Sequence, residues 1–262
     1  MKLLTLTHIS AFSLSFTAAI PTSQSTRAEK PPFFLLAGDS TTAKQSTGGG
    51  GWGAGFLSKT LKSPASGLNY GHNGATTVSF RDGGDWDTVL SQATSHIDDY
   101  KVFVTIQFGH NDQKAGKGIS IDDYKTNLGV FIDEVREVGA EPILVTPLTR
   151  RGFSGTPPRI VENLAAERTA TIDTAKAKSS KYIDLNLAST TYCNAIGPDA
   201  SWQYNLINAT IDGDRTHLND YGSVVFGRLV SDLLVDKYGE QFKEWTVENK
   251  TLSALLAKGI AA

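Results

Sequence analysis

The chain has 262 residues, 40% hydrophobic and 20% charged, with 25 Lys and Arg against 27 Asp and Glu. This is the make-up of a globular protein with enough apolar mass for a sizeable core, not of a disordered one. Its near-neutral balance offers no basic field to nucleic acid or an anionic membrane, and a single cysteine, Cys193, excludes an internal disulfide framework and any multi-cysteine zinc site.

Residues 1–20 carry one early lysine, no acid, and an apolar stretch diluted by Ser and Thr. They read as a secretion signal, with cleavage expected after the small residues Thr17, Ala18 and Ala19 or near Ala28. The stretch is too short and too polar to span a membrane. A secreted, extracellular and monomeric protein is expected, organised as 1–28 (signal and short pro-segment), 29–240 (one domain) and 241–262 (an extension without assigned role). Export would make the sequons at Asn208 and Asn249 glycosylation candidates.

From residue 33 the pattern alternates strand and helix. The run 33–37 (FFLLA) is continuously apolar, as in a strand buried on both faces. A helix is predicted over 52–62, a weaker strand over 68–73 and a helix over 86–97. The strongest strand signal is 102–108 (VFVTIQF). Leu128, Phe131, Ile132 and Val135 then follow at helical spacing within 124–138, with Gly139 placed to end the helix. Strands over 142–146 and 181–185 and helices over 159–178 and 220–235 complete the series. Such alternation predicts a three-layer α/β/α sandwich around a central parallel sheet, flavodoxin-like, with ligands at the carboxyl ends of the strands.

Polar clusters stand in four such places. Gly38-Asp39-Ser40 follows the first strand, where Ser40 is either a nucleophile or a helix cap. His72-Asn73-Gly74 follows the second, and Gly74 either lets a backbone N–H approach an oxyanion or makes a plain turn. Gly109-His110-Asn111-Asp112 follows the third, with the Asn111 amide as a donor and His110 as a base or a loop brace. Asp214-Arg215-Thr216-His217 precedes the last helix, and this spacing lets one loop present a carboxylate and the imidazole it orients. Asp212 is a rival carboxylate.

Taken in order, the four clusters resemble the SGNH (GDSL-type) hydrolases over 33 to about 236, and their details are similar to the rhamnogalacturonan acetylesterase branch. GDST in place of GDSL, the glycine-rich run closing on Gly51-Trp52-Gly53, the segment 107–112 (QFGHND) and Thr146-Pro147 carry the finer likeness. The resemblance implies a serine esterase with Ser40, His217 and Asp214 as catalytic triad. The Ser40 N–H, the Gly74 N–H and the Asn111 amide would form the oxyanion hole, with no metal or organic cofactor. The implied partner is an acetylated plant cell-wall polysaccharide, most specifically the rhamnogalacturonan backbone of pectin. An acetylxylan esterase, an SGNH lipase or acyl-esterase, and a non-catalytic carbohydrate-binding protein are the alternatives.

Three further residues are candidates for touching substrate. Trp52 either packs under a flexible glycine-rich rim or stacks on a sugar, and His110 adjoins the site. Arg150 either faces uronic acid groups or sits in a solvated loop, and its neighbour Arg151 is open to the same two readings. Trp86, Trp202 and Trp245 read as sugar platforms or as packed side chains.

Overall fold

A computed structural model describes residue 1, residues 29–206 and residues 213–262. The expected secretion signal, the sequon asparagine Asn208 and the rival carboxylate Asp212 lie outside the described residues. The chain builds β1 (Pro32–Gly38), α1 (Gly53–Lys59), β2 (Ser66–Asn69), α2 (Thr77–Asp82), α3 (Asp85–His96), β3 (Lys101–Gln107), α4 (Ile121–Glu137) and β4 (Glu141–Val145). A short antiparallel hairpin of β5 (Phe153–Ser154) and β6 (Arg159–Ile160) follows. After it come α5 (Ala165–Ala177), β7 (Lys181–Ile183), α6 (Leu185–Trp202), α7 (Asp220–Phe242) and α8 (Lys250–Lys258).

Five strands pair in parallel in the order β2-β1-β3-β4-β7. β1 is buried at every position. Its side chains alternate between two cores: Phe33, Leu35 and Ala37 join α2 to α5, while Phe34 and Leu36 join α1, α6 and α7. A strand covered on both faces favours apolar residues on each, which is why FFLLA is continuous rather than alternating. The three-layer sandwich expected from sequence is the observed architecture. The chain lays β2 on one side of β1 and every later strand of the sheet on the other, so its topological switch lies between β1 and β3. The crevice of such a sheet opens at the carboxyl ends of those two strands.

α4 forms as its spacing predicts. Ser120 and Asp123 cap it reciprocally, its apolar stripe is buried, and Gly139 beyond it has a φ of 81°. α1 and α7 approach more closely than side chains allow. A Cβ on Gly55 would lie 2.0 Å from the Ser223 carbonyl oxygen, and one on Gly227 2.4 Å from the Phe56 nitrogen. Gly55→Ala should therefore push the helices apart and cost about 1–3 kcal/mol, as overpacking does. Urea unfolding would report this as a lower midpoint at unchanged slope; an unchanged midpoint would mean the helices separate without cost.

Several elements differ from expectation for identifiable reasons. The helix predicted over 159–178 starts only at Ala165, because Pro157 and Pro158 favour extended backbone and Arg159–Ile160 pairs in the hairpin. The Ile160 N–H also donates to Asn194 Oδ1 at 2.8 Å. β2 ends at Asn69, whose side chain accepts from the Gly71 N–H at 2.9 Å and turns the chain out of the sheet. α2 is an unanticipated single-turn element closed by a Thr76–Ser79 capping box. α6 is a second element beyond those expected: its Ser- and Thr-rich sequence and the break at Gly197-Pro198 blur its periodicity.

The last residues pack onto the domain. α7 runs past Gly239, and the Phe242 ring lies 4.9 Å from Phe103 and 5.6 Å from Phe34. The Val247 N–H donates to the Thr60 carbonyl at 2.8 Å, and Leu256 of α8 is buried in the same core.

Candidate active site

The turn after β1 is made by Asp39. Its Oδ1 accepts from both the backbone N–H and the hydroxyl of Thr41, each at 2.8 Å, while its carbonyl accepts from Thr42 and Ala43. This turn holds Ser40, 5% exposed, at the edge of the sheet. Burial pushes the Asp39 carboxyl up, but the nearby His110 imidazole and the Thr41 donors outweigh it and hold the group below its ordinary value.

The loop after β3 is fastened to the loop after β2 by two side chains. Asp112 Oδ1 accepts from the Thr77 N–H at 2.8 Å and the Thr77 hydroxyl at 2.7 Å, at the start of α2. Asn111 Nδ2 donates to the Ala75 carbonyl at 2.9 Å, and Asn111 Oδ1 accepts from Lys114 Nζ at 2.7 Å. The carboxamide is thus fixed in orientation next to Gly74. That glycine is exposed and has a φ of 80°, a left-handed conformation that a side chain would strain. The His72 N–H bonds the Gly38 carbonyl at 2.9 Å, which draws the same loop alongside the turn that carries Ser40.

The fourth cluster arrives from the loop before α7. His217 Nε2 lies 2.7 Å from Ser40 Oγ, across 177 residues of sequence. His217 Nδ1 lies 2.5 Å from Asp214 Oδ2, and Asp214 Oδ1 accepts from the N–H groups of Thr216 at 2.8 Å and His217 at 3.0 Å. Burial raises the Asp214 carboxyl, but the His217 side chain and these backbone donors prevail and bring it to about 2. An ionised Asp214 accepts the Nδ1 proton and leaves the Nε2 lone pair facing the serine hydroxyl. Such a chain can take a proton from Ser40 as it attacks a carbonyl, with donors for the resulting oxyanion on the neighbouring loops.

The structure brings Ser40, Asn111, Asp214 and His217 to one edge of the sheet, with Gly74 on the loop that Asn111 grips. Two of the three expected substrate contacts are corrected. Trp52 is fully buried and donates from Nε1 to Gln107 Oε1 at 2.6 Å, so it packs under the loop and cannot stack on a sugar. Gln107 Nε2 passes the chain on to Thr41 Oγ1. His110, 3% exposed, bonds the Leu148 carbonyl at 2.8 Å and faces Asp39 Oδ2 at 3.4 Å, so it braces three strand ends. Arg150 is half-buried, donating to Asn163 Oδ1 at 2.9 Å and to the His110 carbonyl at 3.1 Å. Arg151 faces neither polysaccharide nor solvent, because its guanidinium is buried against the His217 carbonyl and Asn205.

The glycine-rich run is packed and not a flexible rim: Gly49, Gly50, Gly51 and Gly53 are buried, and the Gly50 carbonyl accepts from the Leu218 N–H at 2.8 Å. Among the tryptophans, Trp86 is buried, whereas Trp202 and Trp245 are partly exposed. Asn249 is exposed and caps α8 through the Leu252 N–H at 3.0 Å. The composite also includes residues that sequence did not single out, among them Thr77, Lys114 and Gln107. Thr77 and Gln107 find their partners on other strand ends, which no local pattern marks, whereas Lys114 bonds Asn111 three residues away on the same loop.

Residues 36–224 match the GDSL-like lipase/acylhydrolase family. Rhamnogalacturonan acetylesterase RhgT of Bacillus subtilis is 31% identical over 215 residues, 78% of this chain and 90% of its own length. The Bacillus subtilis protein YxiM has the same fold, with a TM-score of 0.69 at 24% identity over 82% of this chain and 59% of that one. An acetylxylan esterase from Geobacillus stearothermophilus superposes with a TM-score of 0.55 at 18% identity over 80% of this chain and 95% of its own.

Proposed function

Because the chain belongs to the GDSL-like lipase/acylhydrolase family and is an esterase, we propose that it is a secreted carbohydrate acetylesterase acting on the rhamnogalacturonan backbone of pectin. The observation that carries the chemistry is the continuous chain Ser40–His217–Asp214, closed at 2.7 and 2.5 Å. The observation that favours the substrate is the 31% identity to an enzyme of that activity, with which the resemblance of segment 107–112 (QFGHND) agrees. Secretion rests on the reading of residues 1–20.

In this reading His217 Nε2 takes the Ser40 proton as Oγ attacks the acetyl carbonyl, and Asp214 stabilises the imidazolium that forms. The oxyanion is held by the N–H groups of Ser40 and Gly74 and by the Asn111 amide. An amide nitrogen carries two hydrogens, so one remains for the oxyanion while the other holds Ala75. One such donor supplies about 3 kcal/mol of transition-state stabilisation. Collapse breaks the ester bond, His217 returns the proton to the departing sugar oxygen, and an acetyl-Ser40 remains. Water, deprotonated by the same imidazole, then releases acetate.

The test is acetate release from acetylated rhamnogalacturonan, with Ser40→Ala as the blank. Release by the wild type alone is the expected result. No release from folded protein, with release from acetylated xylan, would overturn the substrate and leave the esterase.

A further inference from the structure

We propose that Arg151 is a positioning residue for hydrolysis, a clamp that sets the backbone of the loop presenting Asp214 and His217. The inference rests on the reading of His217 as the base. Arg151 follows β4 and is 2% exposed, its guanidinium 5.8 Å from the Phe226 ring centroid. It meets two other segments besides its own. Nη2 donates to the His217 carbonyl at 2.7 Å, Nε to Asn205 Oδ1, and Nη1 to the Thr149 carbonyl at 3.5 Å. Its own N–H donates to the Arg215 carbonyl at 2.8 Å, so main chain and side chain grip the same loop two residues apart. The His217 carbonyl also accepts from the Leu206 N–H at 2.9 Å, which joins the loop to the segment that follows α6.

A buried guanidinium is costly to hold. Burial pulls Arg151 down to about 10, with the fields of Cys193 and Asp214 opposing, and it stays charged at neutral pH. The acceptors it satisfies are neutral, so this position is not explained as an ion pair. What the fork supplies is geometry: Nε and Nη2 leave one edge of a rigid plane and fix Asn205 and His217 relative to each other. The imidazole must meet Ser40 and Asp214 simultaneously, and a displacement of about 1 Å in such a site costs about 100-fold in rate. An ammonium on a flexible stem reaches one of the two acceptors but not both.

The experiment measures kcat and KM for 4-nitrophenyl acetate with Arg151→Lys, Arg151→Gln and Ser40→Ala, each checked for folding by circular dichroism and unfolding midpoint. Arg151→Gln should lose about 100-fold in kcat and Arg151→Lys about 10-fold, with KM within about twofold of wild type. Wild-type kcat in either folded variant, or a loss confined to KM, overturns the clamp. Should the Gln variant not fold, the Lys variant decides by the same criterion; a Lys variant that cannot fold would make Arg151 a requirement of the fold and also overturn the assignment. Hydrolysis surviving in Ser40→Ala overturns instead the reading of the site on which the inference rests.

Discussion

Ser40→Ala should reduce ester hydrolysis by about a millionfold, the loss seen when a nucleophile is removed from a serine hydrolase, while the protein stays folded. The hydroxyl it deletes has His217 Nε2 as its partner at 2.7 Å, and the turn around it is held by other groups. Asp39 makes the turn through Thr41, and the Gln107–Trp52 pair braces Thr41 from below. One hydrogen bond of this kind contributes about 1 kcal/mol to stability, so the urea midpoint should scarcely move. The residual rate should exceed the background by some 10³-fold, because the oxyanion donors remain. Acetate assay and urea titration on the same preparation check both halves. Turnover near wild type would remove Ser40 from the mechanism, whereas a large fall in midpoint would mean that the serine serves the turn.

Much of this fold could be read from sequence because its strands are buried on both faces. FFLLA is apolar throughout and VFVTIQF nearly so, its Thr105 and Gln107 being buried with the rest, and both are strands of the central sheet. The site was legible for a related reason: parallel strands point their carboxyl ends to one edge, so a serine after β1, an asparagine after β3 and a histidine ahead of the last long helix converge there. Burial of individual side chains was not legible. Trp52 sits in a run of glycines that reads as exposed loop, yet its indole meets Gln107, 55 residues away. His110 looked available for chemistry from its neighbours alone, and only the Leu148 carbonyl and Asp39, brought by two other strands, show that it is a brace. Arg151 is the same case, since its partners lie in sequence after α6 and before α7. α6 escaped detection because the break at Gly197-Pro198 and its many hydroxyl residues erase the 3.6-residue period.

Asp214→Asn tests the assignment of the carboxylate, and the effect expected is a fall of about 10⁴ in kcat with little change in KM. The substitution keeps the shape and leaves one oxygen to accept from the Thr216 and His217 N–H groups. It replaces the oxygen facing Nδ1, however, with an amide nitrogen that donates and cannot accept. The imidazole then has reason to carry its proton on Nε2, pointed at Ser40, and loses its capacity as a base. The same carboxyl also links stability to pH. It is held at about 2 against an ordinary 3.8, and a depressed folded-state value means that the ionised form is favoured by folding. Its contribution is therefore fully present above about pH 4 and is lost as pH falls towards 2. The Asn variant lacks a group that titrates, so its deficit in urea midpoint relative to wild type should narrow as pH falls through that window. Retention of kcat within tenfold would show that Asp214 does not set the tautomer and would move the role to Asp212, two residues upstream. A full 10⁴ loss with a deficit that closes only below pH 4 would tie one carboxylate both to the activation of His217 and to the cohesion of the loop that carries it.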